Sequence, residues 1–470
     1  MRSTLPSQAR VGAVHLPSGA LSQMKAPYGT LPPVKRPVTQ LPVELVIHII
    51  RSGLDLHSQR SLSQVSRAFR DISFLIPEFW STVVPKFPLE QDQLDYWKRS
   101  IVNSKAAPLD ITLTIPGRNP SSEANQSQGF RSLFLELAIN AARWRTFELV
   151  TEDPAPMDLF LTGSISVATF PQLENLRLAC AEPIDTRDAA WFANGRHEEP
   201  SPVMPRLRNL TLWNVWARYP RGILNDLVDL KLLGDLLGIT PPLEDIVDVL
   251  KSSPNLEVLS LTAAPPLISN LSPPPFTNDA LHVVLPRLRS LTFRGLSRMA
   301  GISILPLLHL PALEVFRLEN TLAWLERSMD VPSPQIPEDY SSVIQIIAYL
   351  NMPWERSTNV FVAPPGPQWP QGKLKELTLS WVTAEAMHLL DWLSFMHELT
   401  TLRTHFSDVD LFRVLQDERV CPQLQALYVE GFIDPATSSE LERVMHVRPN
   451  LEVSVEAIMA GTGHIFYDQL

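Results

Sequence analysis

The sequence predicts an α/β chain in which three short N-terminal helices precede a long, irregular array of parallel strands. The strands line a concave side, with helices and loops on the convex side. An apolar pattern LxxLxL returns along most of the chain from Leu173 onward. Seven of its units carry a proline two residues before the first leucine. Ahead of them, residues 41–80 alternate apolar helical stripes with breakers. Repetition at periods of 20–50 residues is the mark of stacked units, each burying its apolar face only against its neighbours.

Residues 1–40 hold Arg2, Arg10, Lys25, Lys35 and Arg36, no acidic residue, and scattered Ser, Pro and Gly. An Arg-rich, acid-poor leader has the composition of a transit peptide, but Pro6, Pro17 and Pro27 interrupt any amphipathic helix there. A disordered leader is expected.

From Leu41 to Trp80 the chain reads LPVELVIHIIRSGLDLHSQRSLSQVSRAFRDISFLIPEFW. Leu41, Leu45 and Ile49 repeat at i, i+4 and i+8, widened by Val46 and Ile50; Pro42 and Glu44 suit a helix N-terminus. Gly53 ends this run. Leu62, Val65 and Phe69 then share one face, with Arg60, Gln64, Arg67 and Arg70 on the others. Pro77 opens a third short helix that ends at Phe79 and Trp80. Three such helices bury too little surface to stand alone.

Here LPxEL at 41–45, VSRxFR at 65–70 and Trp80 together resemble an F-box, over about a tenth of the chain. The resemblance implies a substrate receptor of a Skp–cullin–F-box ubiquitin ligase, with the box on the Skp adaptor and, through it, on cullin. It implies a docking or packing set of Leu41, Pro42, Leu45, Ile49, Leu62, Val65 and Trp80, taken here as adaptor-binding. The organisation expected is a leader over 1–40, the F-box over 41–84, a linker helix with an atypical first repeat over 85–150, repeats over 151–457 and a tail over 458–470.

After the box, Leu94, Trp97 and Ile101 mark a helix. Leu109, Ile111, Leu113 and Ile115 alternate as a strand does. Residues 116–128 read as a polar loop, and a helix from about 130 to 142 delivers Trp144, Phe147 and Leu149. A similar arrangement follows the box in many fungal F-box proteins.

The repeat units open at Leu173, Leu207, Leu227, Leu256, Leu288, Leu313, Leu374, Leu399 and Leu424, with a degenerate ending near Leu451. Five of the eight gaps between the nine openings fall between 25 and 32 residues, so the array resembles a leucine-rich repeat solenoid of the longer kind. Pro171, Pro205, Pro254, Pro286, Pro311, Pro422 and Pro449 are expected to stop each preceding helix and force an extended approach to the strand. Leu243–Leu250 reads as an outer helix, capped by Thr240 and Pro241. Residues 262–284 read as a surface loop. The gap of 61 residues before Leu374 makes 321–371 either a diverged repeat or an insertion.

In LxxLxL the leucines point inward, so the residue between the last two and the one after them face the concave side. Over nine units these 18 positions include Arg177, Lys231, Arg294, Arg317 and Arg403, five cations where the chain average of 40 in 470 gives about 1.5. With Trp213 and Tyr428 as anchors, this face would take an acidic or phosphorylated segment of a target protein. The other reading is an ordinary solvated repeat face.

A net charge of −10 and a pI near 5.6 argue against nucleic-acid or anionic-membrane binding. No apolar run approaches the ~20 residues that span a bilayer. Cys180 and Cys421, the only cysteines, provide neither a disulfide framework nor a zinc-binding ligase domain, and they suit a reducing compartment, cytoplasmic or nuclear. No phosphate loop, dinucleotide fingerprint, zinc-protease motif or nucleophile elbow occurs. No cofactor and no catalytic residue are expected. The function expected is substrate recognition for a ubiquitin ligase. The alternative is an F-box scaffold acting outside ubiquitylation.

Overall fold

The computed structural model describes residues 42, 44–48, 65–117, 123–162, 169–185, 204–216, 224–234, 243–262, 282–294, 304–319, 373–380, 382, 384–405, 409–431 and 435–456. The chain divides into two compact units, Met1–Ile72 and Ser73–Leu470.

In the first unit, residues 44–48 are helical, and helix α1 (Arg67–Phe74) begins there. Val46 is buried, whereas Leu45 is 51% exposed and Val65 is 69% exposed. Leu45 therefore faces solvent while its neighbour Val46 does not. Ser66 caps the start of α1, its hydroxyl accepting the Phe69 N–H at 3.3 Å.

The second unit is a mixed α/β body built on one large parallel sheet. Strands β1 (Thr82–Val83), β2 (Leu109–Ile115), β3 (Trp144–Thr151), β4 (Asn175–Asp185), β5 (Asn209–Trp216), β6 (Asp229–Leu233) and β7 (Val258–Thr262) pair in chain order. A short β8 (Val283–Val284) leaves this sheet and pairs with β10 (Leu308–His309). The main sheet continues through β9 (Ser290–Arg294), β11 (Val315–Glu319), β12 (Glu376–Ser380), β13 (Thr401–His405), β14 (Ala426–Glu430) and β15 (Glu452–Glu456). All thirteen strands of the main sheet pair in parallel. β11 is hydrogen-bonded directly to β12, with Val315 opposite Glu376. The sheet thus passes from β11 to β12 without an intervening strand, and residues 321–371 lie outside the described residues.

The leucines form two continuous inward rows. One runs from Ile111 through Phe147, Leu176, Leu210, Leu230, Leu259, Leu291, Phe316, Leu377 and Leu402 to Leu427. All lie in a single core with the inner faces of helices α2 (Gln91–Asn103), α3 (Glu123–Ile139), α4 (Pro154–Thr162), α5 (Leu243–Lys251), α6 (Ala386–Leu393), α7 (Val409–Leu415) and α8 (Pro435–Val447). α2 buries Leu94, Trp97 and Ile101, and starts with a reciprocal capping box between Glu90 and Gln93. At the N-terminal end of the sheet, Trp144 stacks on Phe147 at 4.4 Å and Phe147 on Phe160 at 4.9 Å, closing the core beneath α3 and α4.

Three expectations are corrected. The helix expected from about 130 begins at Glu123, so the polar loop is shorter: Glu, Ala and Gln are good helix formers without an apolar period to reveal them. The loop expected over 262–284 ends in β8. The prolines before each repeat do not sit in extended backbone. Each occupies the second position of a β-turn, whose first carbonyl accepts the N–H of the leucine three residues on. Examples are Phe170 to Leu173 (3.3 Å), Met204 to Leu207 (3.2 Å) and Cys421 to Leu424 (3.0 Å). Proline's fixed φ matches that turn position.

Within these two inward rows one position is polar. Thr404 lies between Leu379 and Val429 in the second row, fully buried, its Oγ1 without a hydrogen-bond partner among the described residues. Burying an unpaired hydroxyl costs about 1–3 kcal/mol. Thr404→Val, which preserves shape, is expected to stabilise the protein by about 1 kcal/mol, read as a higher urea midpoint with an unchanged m-value; a lower midpoint would mean the hydroxyl is paired.

Candidate functional site

The face of the sheet opposite the leucines carries three outward rows. The middle row is continuous across twelve strands: Thr112, Glu148, Arg177, Thr211, Lys231, Ser260, Thr292, Arg317, Thr378, Arg403, Tyr428 and Ser454. It unites five of the seven residues singled out in the sequence for target binding: Arg177, Lys231, Arg317, Arg403 and Tyr428. The other two, Trp213 and Arg294, stand two residues further along their strands, on the C-terminal row.

Most of the cations are already engaged. Glu148 on the neighbouring strand pairs with Arg177 at 2.9 Å, and Asp229, two residues back on the same strand, pairs with Lys231 at 2.9 Å. Arg294 Nε approaches Glu319 Oε2 to 2.8 Å as a close ion pair without hydrogen-bond alignment. The Arg403 guanidinium lies 4.2 Å from the centre of the Tyr428 ring, a cation–π contact, and His405 stands 3.1 Å from Glu430 beside it. Among the described residues Arg317 has no carboxylate partner. Its neighbours in register are Thr292 and Thr378.

Charge on this face is sorted by row. Counted over the last two outward positions of each strand, the face is enriched in cations. The N-terminal outward row adds Asp110, Asp229, Glu376 and Glu452, and the C-terminal row holds Glu319, Glu430 and Glu456. Most of the cations thus lie on the middle row, with Arg294 on the C-terminal row as the exception, and the carboxylates lie mainly on the rows to either side. The N-terminal row corresponds in the sequence to the second x of each LxxLxL.

The C-terminal row also changes character along the sheet. From β3 to β6 it reads Val150, Ala179, Trp213 and Leu233; from β9 onward it reads Arg294, Glu319, Ser380, His405, Glu430 and Glu456. Asn214, directly after Trp213, adopts φ 54 and is buried, its Nδ2 donating to the Ala181 carbonyl at 3.1 Å. Asn tolerates that left-handed backbone, and the bond fixes the strand end that carries Trp213.

Of the seven residues implied for adaptor binding, Leu41, Ile49 and Leu62 lie outside the described residues. Pro42, Leu45 and Val65 are exposed. Trp80 is only 8% exposed, in the 3₁₀ turn Pro77–Trp80 of the second unit, and fills a packing role.

Neither cysteine has the setting of a nucleophile. Burial raises the Cys180 thiol pKa and pushes that of Cys421 up to about 12, so both stay protonated. Among the described residues, no group of three or more His, Cys, Asp or Glu is placed to hold a metal ion, and no helix is long and apolar enough to cross a membrane. No protein-family model matches the chain, and no curated protein shows significant similarity to it.

Proposed function

We propose that this protein is the non-catalytic substrate-recognition subunit of a Skp–cullin–F-box ubiquitin ligase. Residues 41–84 would serve as the F-box on the Skp adaptor, and the stacked strands as a leucine-rich repeat solenoid holding a target protein. The observation that supports it most is the exposure of Leu45 and Val65, large apolar residues at F-box motif positions that turn to solvent rather than to a core. An apolar helix face left in water suits a partner. The ladder of outward side chains supports the second half, since it offers a long polar surface with no chemistry of its own. The mechanism is positional: holding a target near the charged conjugating enzyme raises its effective concentration, and the bond chemistry belongs to other subunits.

Capture of the full chain by immobilised Skp adaptor tests this. Wild type is expected to bind, and Leu45→Glu/Val65→Glu to bind at least tenfold more weakly with an unchanged thermal midpoint, since both side chains are exposed. A well-folded wild type that the adaptor does not capture would overturn the proposal.

A further inference from the structure

The polar face of the sheet holds two features of complementary chemistry at a fixed separation. The first is the apolar shelf of Ala179, Trp213 and Leu233 on β4, β5 and β6, adjacent in register. The second is Arg317 on β11, flanked in register by the hydroxyl-bearing Thr292 on β9 and Thr378 on β12. Thr292 and Thr378 are buried, at 7% and 6% exposure, and place a hydroxyl-bearing residue on the strand to either side of Arg317. Of the middle-row cations it is the one with neither an ion pair nor a ring contact among the described residues, whereas Arg177, Lys231 and Arg403 are each engaged.

Trp213 and Arg317 stand four strands apart. Strands lie about 4.8 Å apart, and one step between outward rows adds about 7 Å along the strand. The two features are therefore about 20 Å from each other, which an extended chain covers in about six residues at ~3.3 Å each.

We propose that this face binds one extended segment of a target protein, laid across the strands, with an apolar side chain on the Trp213 shelf and a carboxylate about six residues away on Arg317. The occupant's charge follows from Arg317: a guanidinium with two hydroxyl donors matches the two oxygens of an Asp or Glu side chain. Glu376, on the N-terminal row of β12, and Glu319, on the C-terminal row of Arg317's own strand, border the site. Glu319 is paired with Arg294, so a dianionic phosphate would meet one unpaired cation beside the Glu376 carboxylate, and the singly charged carboxylate is favoured. This inference rests on the reading of the sheet as a target-binding surface.

The test uses the full chain and fluorescein-labelled synthetic peptides carrying one Leu and one Glu separated by zero to nine Ser or Gln residues, with binding read by anisotropy. Affinity is expected to peak at five or six intervening residues. Trp213→Ala and Arg317→Glu are each expected to weaken the best peptide tenfold or more, and Arg317→Lys, which loses the fork but keeps the charge, several-fold. Thr292→Val/Thr378→Val, which leaves the fold's charges untouched, is expected to weaken it several-fold as well. Affinity that ignores the spacing, or that survives Arg317→Glu, overturns the proposal; a phosphoserine peptide binding more tightly than its Glu counterpart overturns the choice of carboxylate. Adaptor capture by the same preparations separates this inference from the receptor reading. Capture without spaced-peptide binding sinks the inference alone, and peptide binding without capture sinks the receptor reading alone.

Discussion

Trp80→Ala is expected to destabilise the second unit by about 3–5 kcal/mol, the range for removing a large buried aromatic. Its ring stacks on Phe74 with centroids 5.4 Å apart and meets Phe79 edge-on at 5.2 Å. The indole N–H donates to the Ser73 carbonyl at 2.8 Å, so the truncation also removes a buried hydrogen bond and leaves that carbonyl only the Ile76 N–H at 3.2 Å. Trp80→Phe keeps much of the ring and loses the hydrogen bond, and is expected to cost about 1–2 kcal/mol. Denaturant unfolding of the full chain, followed by far-ultraviolet circular dichroism, checks both; equal midpoints for wild type and Trp80→Ala would show that the ring is not a core element. Loss of adaptor capture in Trp80→Ala would accompany loss of fold and say nothing about docking, which leaves Leu45 and Val65 as the positions that discriminate.

Most of the sheet was legible in the sequence because a strand's side-chain period of two writes its inward face directly into LxxLxL, and each unit repeats it. Leu210, Leu259 and Leu402 stand in register as that pattern implies. The proline positions were legible, but their conformation was not: a proline before a strand fits either an extended approach or a turn, and only the returning leucine N–H distinguishes them. Helix α3 was half legible, since its apolar contacts start at Phe130 while its backbone starts at Glu123. The two-residue strands β1 and β8 are too short to carry any period. The electrostatics of the candidate site were the least legible. Whether Arg177 or Arg294 is free depends on Glu148 and Glu319, residues of neighbouring repeats brought alongside only by register. Arg317 stays without an ion pair among the described residues because its register neighbours are threonines. That contrast emerges from the pairing of strands and not from composition. The resemblance to an F-box has the reverse character: it rests on the residue string, while Leu41, Ile49 and Leu62 lie outside the described residues.

Arg448→Ala is expected to cost about 3 kcal/mol, because one half-buried guanidinium closes the C-terminal end of the sheet's helical layer. It donates to the carbonyls of Leu415 at 2.8 Å, Asp417 at 2.7 Å, Val420 at 2.5 Å and Cys421 at 3.1 Å. The Leu415 carbonyl is one of those released where α7 ends, while the carbonyls of Asp417 and Cys421 in the following turns also accept the N–H groups of Val420 and Leu424, both at 3.0 Å. Charge-assisted bonds to four acceptors from one planar group are beyond a lysine's reach, so Arg448→Lys is expected to recover less than half of the loss. Cys421 supplies a local readout beside the denaturation midpoint. Its thiol is buried, with the Leu393 carbonyl 3.5 Å from Sγ, and its pKa stands near 12 because burial outweighs the lowering effect of the Arg448 charge. If Arg448 acted on Cys421 through charge alone, removing it would raise the thiol pKa further and slow alkylation by iodoacetamide at pH 8. If Arg448 holds the turn shut, its removal opens the turn, hydrates the thiol and speeds alkylation. Faster labelling of Arg448→Ala, with Cys180 replaced by Ala to isolate the signal, is the expected result, because opening a buried turn exposes the thiol to reagent and water at once, whereas the lost charge can only oppose the thiolate.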